Sequence, residues 1–157
     1  MSDRLDHLIR YFETITEANV PQLRDFYAAD AYFKDPFNEV HKVDEIEQVF
    51  AQMFGPLSEP RFIGHTRIEQ GDEAFLTWDF RFRVKKYKPD VEQVIRGGSR
   101  LCFDPQNKVC YHCDYWDAAE ELYKTLPLIG GLMRFLKRRM AERFTPTQVA
   151  ESEKLWV

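Results

Sequence analysis

A chain of 157 residues, 44% hydrophobic and 31% charged, has the make-up of one globular domain able to bury a core without metal or disulfide staples. Its net charge of −4 gives no electrostatic reason to bind nucleic acid or an anionic membrane. No apolar run is long enough to span a bilayer, and the charged opening MSDRLDHLIRYFE does not read as a signal peptide, so a cytoplasmic location is the expectation.

Leu5, Leu8, Ile9, Phe12 and Ile15 keep helical spacing and predict a first amphipathic helix, broken at Ala18-Asn19-Val20-Pro21. Val20, Leu23, Phe26 and Tyr27 mark a short second helix with Pro21 in its first turn. A brief strand at 31–34 ends at Asp35-Pro36, and a third helix carrying Ile46, Val49, Phe50, Met53 and Phe54 closes at Gly55-Pro56. Strands follow at 60–70, 73–86, 91–103 and 108–117, separated by the turns Gln70-Gly71-Asp72 and Asp104-Pro105-Gln106-Asn107. In the second of them Leu76, Trp78, Phe80, Phe82 and Val84 make an apolar even-numbered face. Helices first and long antiparallel strands afterwards predict an α+β layout.

A short helix at 117–124 stops before Pro127, and after Gly130-Gly131 comes a basic amphipathic helix at 132–140. Its stripe of Leu132, Leu136 and Met140 is narrow, which favours packing on the same domain over lying on a membrane or a partner. The division expected is a domain at 1–126 with a helical extension at 127–157.

Cys110 and Cys113 form a C-x-x-C within the apparent strand VCYHCDYW, where residues three apart face opposite sides. That geometry opposes a metal or redox site, so reduced packing thiols, no metal and no cofactor are expected. Asp114 shares strand parity with Cys110, His112 and Trp116. On the preceding strand Ile95, Leu101 and Phe103 alternate against Arg96 and Arg100, so Gly97 and Ser99 belong to the inward face. A four-residue turn at 104–107 would set Ser99 opposite His112 and Gly97 opposite Asp114. The prediction is an inward cluster of Ser99, His112 and Asp114, with Gly97 leaving room for a ligand or a large side chain. If 108–117 presents its other face, these are exposed groups instead. His7 and His41 sit among charged neighbours, and His65 has no recognisable partner. Neither a nucleotide-binding glycine loop nor a nucleophile elbow is present.

The stretch RYFETITEANVPQLRDFYAADAYFKDPF, with Arg10-Tyr11, Tyr27-Ala28, Asp30-Ala31 and Asp35-Pro36-Phe37 as fixed points, resembles bacterial ketosteroid isomerase, of the nuclear transport factor 2-like (SnoaL-like) superfamily. Phe103-Asp104 and Tyr115-Trp116 match the family's last hairpin, so the resemblance covers most of 8–117. It implies a cone-shaped roll, with helices on a curved antiparallel sheet around a small-molecule pocket. It also implies Asp35 as the general base and Tyr11 as the oxyanion donor, while Ser99 stands where the family has a protonated aspartic acid. The segment YHCDYWD at 111–117 is similar to the last strand of limonene epoxide hydrolase and SnoaL-type cyclases. Those families imply a catalytic role for Asp114, with Asp79 as the hydrolase partner carboxylate and Thr77 in place of its bridging arginine.

Together these predict a cofactor-independent acid/base enzyme that removes a proton beside a carbonyl of a mostly apolar small molecule, giving isomerisation or cyclisation. Asp35, Tyr11, Asp114 and His112 are the candidate catalytic residues. Asp79, Ser99, Trp116, Gly97, Phe75 and Thr77 are the candidate substrate contacts. The alternatives are epoxide hydration by Asp114 and Asp79, or a non-catalytic binding or dimerisation module. A homodimer is expected, with the aromatic even face of 73–86 as its interface.

Overall fold

The computed structural model describes residues 3–123. The expected extension at 127–157, with its helix at 132–140, lies outside the described residues. Contacts divide the chain after Glu121, and the first unit holds nearly all of the described elements. Helix α1, Asp3–Glu13, buries Leu5, Leu8, Ile9 and Tyr11 along one stripe. A 3-10 helix at Glu17–Asp25 follows, started by a capping box in which Thr16 and Asn19 satisfy each other's backbone N–H groups. The expected second helix is thus earlier and tighter than its apolar spacing implies. Tyr27 leaves it to open strand β1, Tyr27–Lys34, because it pairs with Val109 far along the chain.

The remaining elements are β2 (Glu39–Val40), α2 (Val43–Gln52), β3 (Leu57–Gln70), β4 (Glu73–Val84), β5 (Gln93–Phe103), β6 (Val109–Tyr115) and α3 (Ala118–Tyr123). The six strands form one curved, open sheet in the order β2-β1-β6-β5-β4-β3. All neighbours are antiparallel except β1 and β6, which run parallel. The fold is therefore α+β, with N-terminal helices against an antiparallel meander. Leu5, Leu23, Phe33, Ile46, Leu101 and Val109 fill the core between them and are almost completely buried.

Two local devices bring α1 onto the sheet. Gly64 of β3 lies so close to α1 that an added Cβ would stand 3.1 Å from the Ile9 side chain, and its N–H donates to Glu13 at 3.0 Å. Farther along, Asp6 pairs with Arg67, while Arg4 bridges Glu69 at 3.1 Å and covers the Phe103 ring. The even face of β4 turns toward this helical side. Trp78 and Phe82 are only 6% and 5% exposed within the single chain, which corrects the expectation that this face meets a partner subunit. The outer face of β4 carries Phe75, Thr77, Asp79, Arg81 and Arg83 instead. Among the described residues no helix is long and apolar enough to cross a membrane.

Candidate functional site

Alternation along β5 and β6 decides which side chains meet beneath α1. Ser99 pairs with Asp114 and Leu101 with His112. The expected pairing is displaced by two residues, because the hairpin loop is longer and the ladder shifts register between Cys102 and Phe103. A shift of two preserves the face, so Ser99, His112 and Asp114 still point inward together.

There they form one continuous chain of hydrogen bonds. Tyr27 hydroxyl lies 2.6 Å from His112 Nδ1, and His112 Nε2 lies 2.6 Å from Asp114 Oδ1. Ser99 donates to the same carboxylate oxygen at 2.5 Å and accepts from Trp78 Nε1 at 2.8 Å. Among the described residues no hydrogen bond reaches Asp114 Oδ2. His112 and Ser99 are buried, at 4% and 3% exposure, so each needs the partners it has. Phe33 meets the imidazole edge-on with ring centroids 4.9 Å apart, which holds the ring against rotation. Tyr27 is completely enclosed, and burial, reinforced by the Asp114 charge, pushes its hydroxyl well above the usual tyrosine range.

This chain forms the polar floor of a cavity walled by Ile9, Phe12, Phe62, Leu76, Trp78 and Leu101, with Glu13 also on its lining. Its free space is about 40 Å³, room for about two or three water molecules. The Trp78 ring explains the small volume. A Cβ on Gly97 would fall 2.5 Å from it, so the space left by Gly97 is taken by a large side chain.

Asp114 also lines a separate, open depression, shared with Lys34, Asp35, Trp116 and Asp117. Asp35 closes a tight turn there, accepting from the N–H groups of Phe37 and Asn38 at 2.7 and 2.6 Å and from the Asn38 amide. Burial nevertheless raises its pKa, and the Asp114 charge adds to the effect against those hydrogen bonds. Trp116 packs edge-on against Phe37 at 5.5 Å.

Tyr11 is not brought to either place with Asp114. Its hydroxyl donates to the carbonyls of Asn19 and Val20 at 3.2 and 3.1 Å, holding the 3-10 helix to α1. Phe75, Thr77 and Asp79 lie on the far face of the sheet. Phe75 covers Gly98, Thr77 accepts from the Thr66 N–H, and Asp79 pairs with His65 and Arg81. Asp79 therefore does not face Asp114 across the cavity. The C-x-x-C cysteines are free thiols, Cys110 Sγ donating to the Cys102 carbonyl at 3.3 Å, and no metal-binding group occurs among the described residues. Sequence reasoning missed Tyr27, Glu13 and the position of Trp78 in the cavity. Tyr27 carried a signal only as a fixed point of the resemblance, and Trp78 only as part of an apolar face.

The family model described as SnoaL-like domain matches residues 8–112. No curated protein matches the chain. Among solved structures, a hypothetical protein with a ketosteroid isomerase-like fold from Catenulispora acidiphila, in complex with trimethylamine, is similar at 11% identity and a TM-score of 0.66, over 78% of this chain and 92% of that one. A putative SnoaL-like polyketide cyclase from Shewanella putrefaciens aligns at 19% identity and TM-score 0.63, over 80% and 99%. An LEH-like epoxide hydrolase of M. tuberculosis aligns at 8% identity and TM-score 0.61, over 76% and 80%. At these identities the likeness is one of fold.

Proposed function

The chain belongs to the SnoaL-like domain family, and on that footing we propose that it is a cofactor-independent acid/base enzyme with Asp114 as its base. The reaction class is proton abstraction beside a carbonyl of a mostly apolar small molecule, leading to isomerisation or cyclisation. The observation that carries this is the state of the Asp114 carboxylate. Ser99 and His112 hold Oδ1, while Oδ2 takes no hydrogen bond among the described residues. One oxygen is thus fixed for orientation and the other is left to take a proton, above a floor whose surroundings are apolar. The free space fits only waters, so a larger substrate enters by displacing part of the apolar wall. Asp35, in the depression that Asp114 also lines, is the second candidate base.

Epoxide hydration is the second reading. It rests on a cavity that accommodates water and carries a further carboxylate, Glu13, besides Asp114. We also propose a homodimer formed through the outer sheet face, where Ile68, Phe75 and Tyr115 are exposed.

The test is exchange of α-hydrogens into D₂O, followed by proton NMR over a panel of apolar ketones that includes a β,γ-unsaturated ketosteroid. Asp114→Asn is expected to reduce exchange by about 10²–10⁴-fold, the usual contribution of a positioned base, with Asp35→Asn much less affected. The reverse order would move the base to Asp35. An inactive wild type that binds the same ketones would mark a binding module, and turnover of epoxides alone would favour hydration.

A further inference from the structure

The buried chain has a direction, and its two ends set it. Trp78 Nε1–H can only donate. Ser99 Oγ therefore accepts from it, and the serine hydrogen goes to Asp114 Oδ1. At the opposite end the Tyr27 hydroxyl has one partner among the described residues, His112 Nδ1 at 2.6 Å. Three arrangements of the imidazole hydrogens can be compared. With the hydrogen on Nδ1 alone, the ring donates to the tyrosine oxygen, and the tyrosine hydrogen is left without an acceptor in a fully enclosed site. The doubly protonated ring has the same defect. With the hydrogen on Nε2 alone, Tyr27 donates to Nδ1, Nε2–H donates to Asp114 Oδ1, and every hydrogen has an acceptor.

We propose that Tyr27 is a positioning residue: by giving its hydrogen to Nδ1 it holds His112 in the neutral Nε2–H form, so that all hydrogens of the buried chain converge on Asp114. The consequence for the chemistry follows directly. A second proton on His112 would make it a cation paired with Asp114, and the carboxylate would no longer face the cavity with its charge uncompensated. Tyr27 keeps the pair from taking that form, so Asp114 acts as the base and His112 as its anchor. Burial, which keeps the tyrosine protonated, suits it to this task. The aromatic surroundings help, since Phe33, Phe12 and the Tyr27 ring contact the imidazole on several sides and restrict its turning.

This assignment rests on Asp114 being the base, but hydrogen positions can be read without turnover, so the two can fail separately. The experiment is two-dimensional long-range ¹H–¹⁵N NMR of the full chain at neutral pH, with the His112 signals identified by their loss in His112→Gln. In the wild type, Nε2 is expected to carry the hydrogen and Nδ1 to resonate as a hydrogen-bond acceptor. In Tyr27→Phe, which keeps the ring, the Nδ1 resonance should move and a protonated Nδ1 should appear. A hydrogen on Nδ1 in the wild type would overturn the proposal, and that arm needs no variant to fold. Ring nitrogens unchanged in a folded Tyr27→Phe would overturn it as well.

Discussion

Asp35 holds its turn together and is strained electrostatically by the same position. Its oxygens accept two backbone N–H groups and the Asn38 amide, yet burial, with the charge of Asp114 behind it, raises its pKa above the usual 3.8. A carboxyl whose folded pKa is raised binds its proton more tightly in the folded state. Its ionisation therefore removes stability as pH rises from the unfolded value through the folded one, and the loss persists at neutral pH. Asp35→Asn keeps an acceptor for the turn and abolishes the ionisation. We expect the variant to lose less stability than the wild type between acid and neutral pH in urea titrations. A wild-type curve rising over that window from this residue would contradict the assignment. Asp114 and His112 were legible because they sit two apart on a strand whose neighbour alternates clearly. Tyr27 was not, since its apolar spacing continues that of Val20 and Leu23, and only the distant pairing with Val109 pulls it into a strand.

At the level of elements, β4 and β5 meet at two close approaches, one on each face, and the inward one carries the site. Trp78 lies directly across from Gly97, and its ring occupies the volume a side chain there would need. Gly97→Ala puts a methyl 2.5 Å from the ring, and the ring cannot retreat without giving up Ser99. The expected cost is about 1–3 kcal/mol, measured as a lower urea midpoint at unchanged slope. A neutral outcome would mean that Trp78 moves freely. The strands themselves were well marked in the sequence by turn residues and alternation. What alternation cannot supply is register. A loop longer than the four-residue turn displaced Phe103 by one position, and the irregularity near Cys110 brought the displacement to two for the partners of Gly98 to Cys102. It also cannot say which face of a two-sided sheet a helix will cover, and so Trp78 and Phe82 were assigned to a partner subunit.

For the unit as a whole, the outer face now bears the question of assembly. Ile68 and Phe75 are direct partners across β3 and β4, at 62% and 40% exposure, and Tyr115 lies beyond the glycine that Phe75 covers. Adjacent exposed apolar groups of this kind mark contact surfaces. Light scattering at micromolar concentration is expected to give twice the chain mass of 18.7 kDa, and the double variant Ile68→Asp, Phe75→Asp to give the single mass. A monomeric wild type would end the dimer proposal. The fold class was legible because helix period gives way to strand alternation near residue 57, whereas the parallel contact of β1 with β6 leaves no periodic trace. That contact has a kinetic consequence. Tyr27 and His112 are 85 positions apart, and contacts so distant in sequence are among the slowest to form because the loop must close first. During synthesis the polar floor can form only after β6 has emerged, so a nascent chain carries most of its pocket walls before His112 and Asp114 can close beneath them.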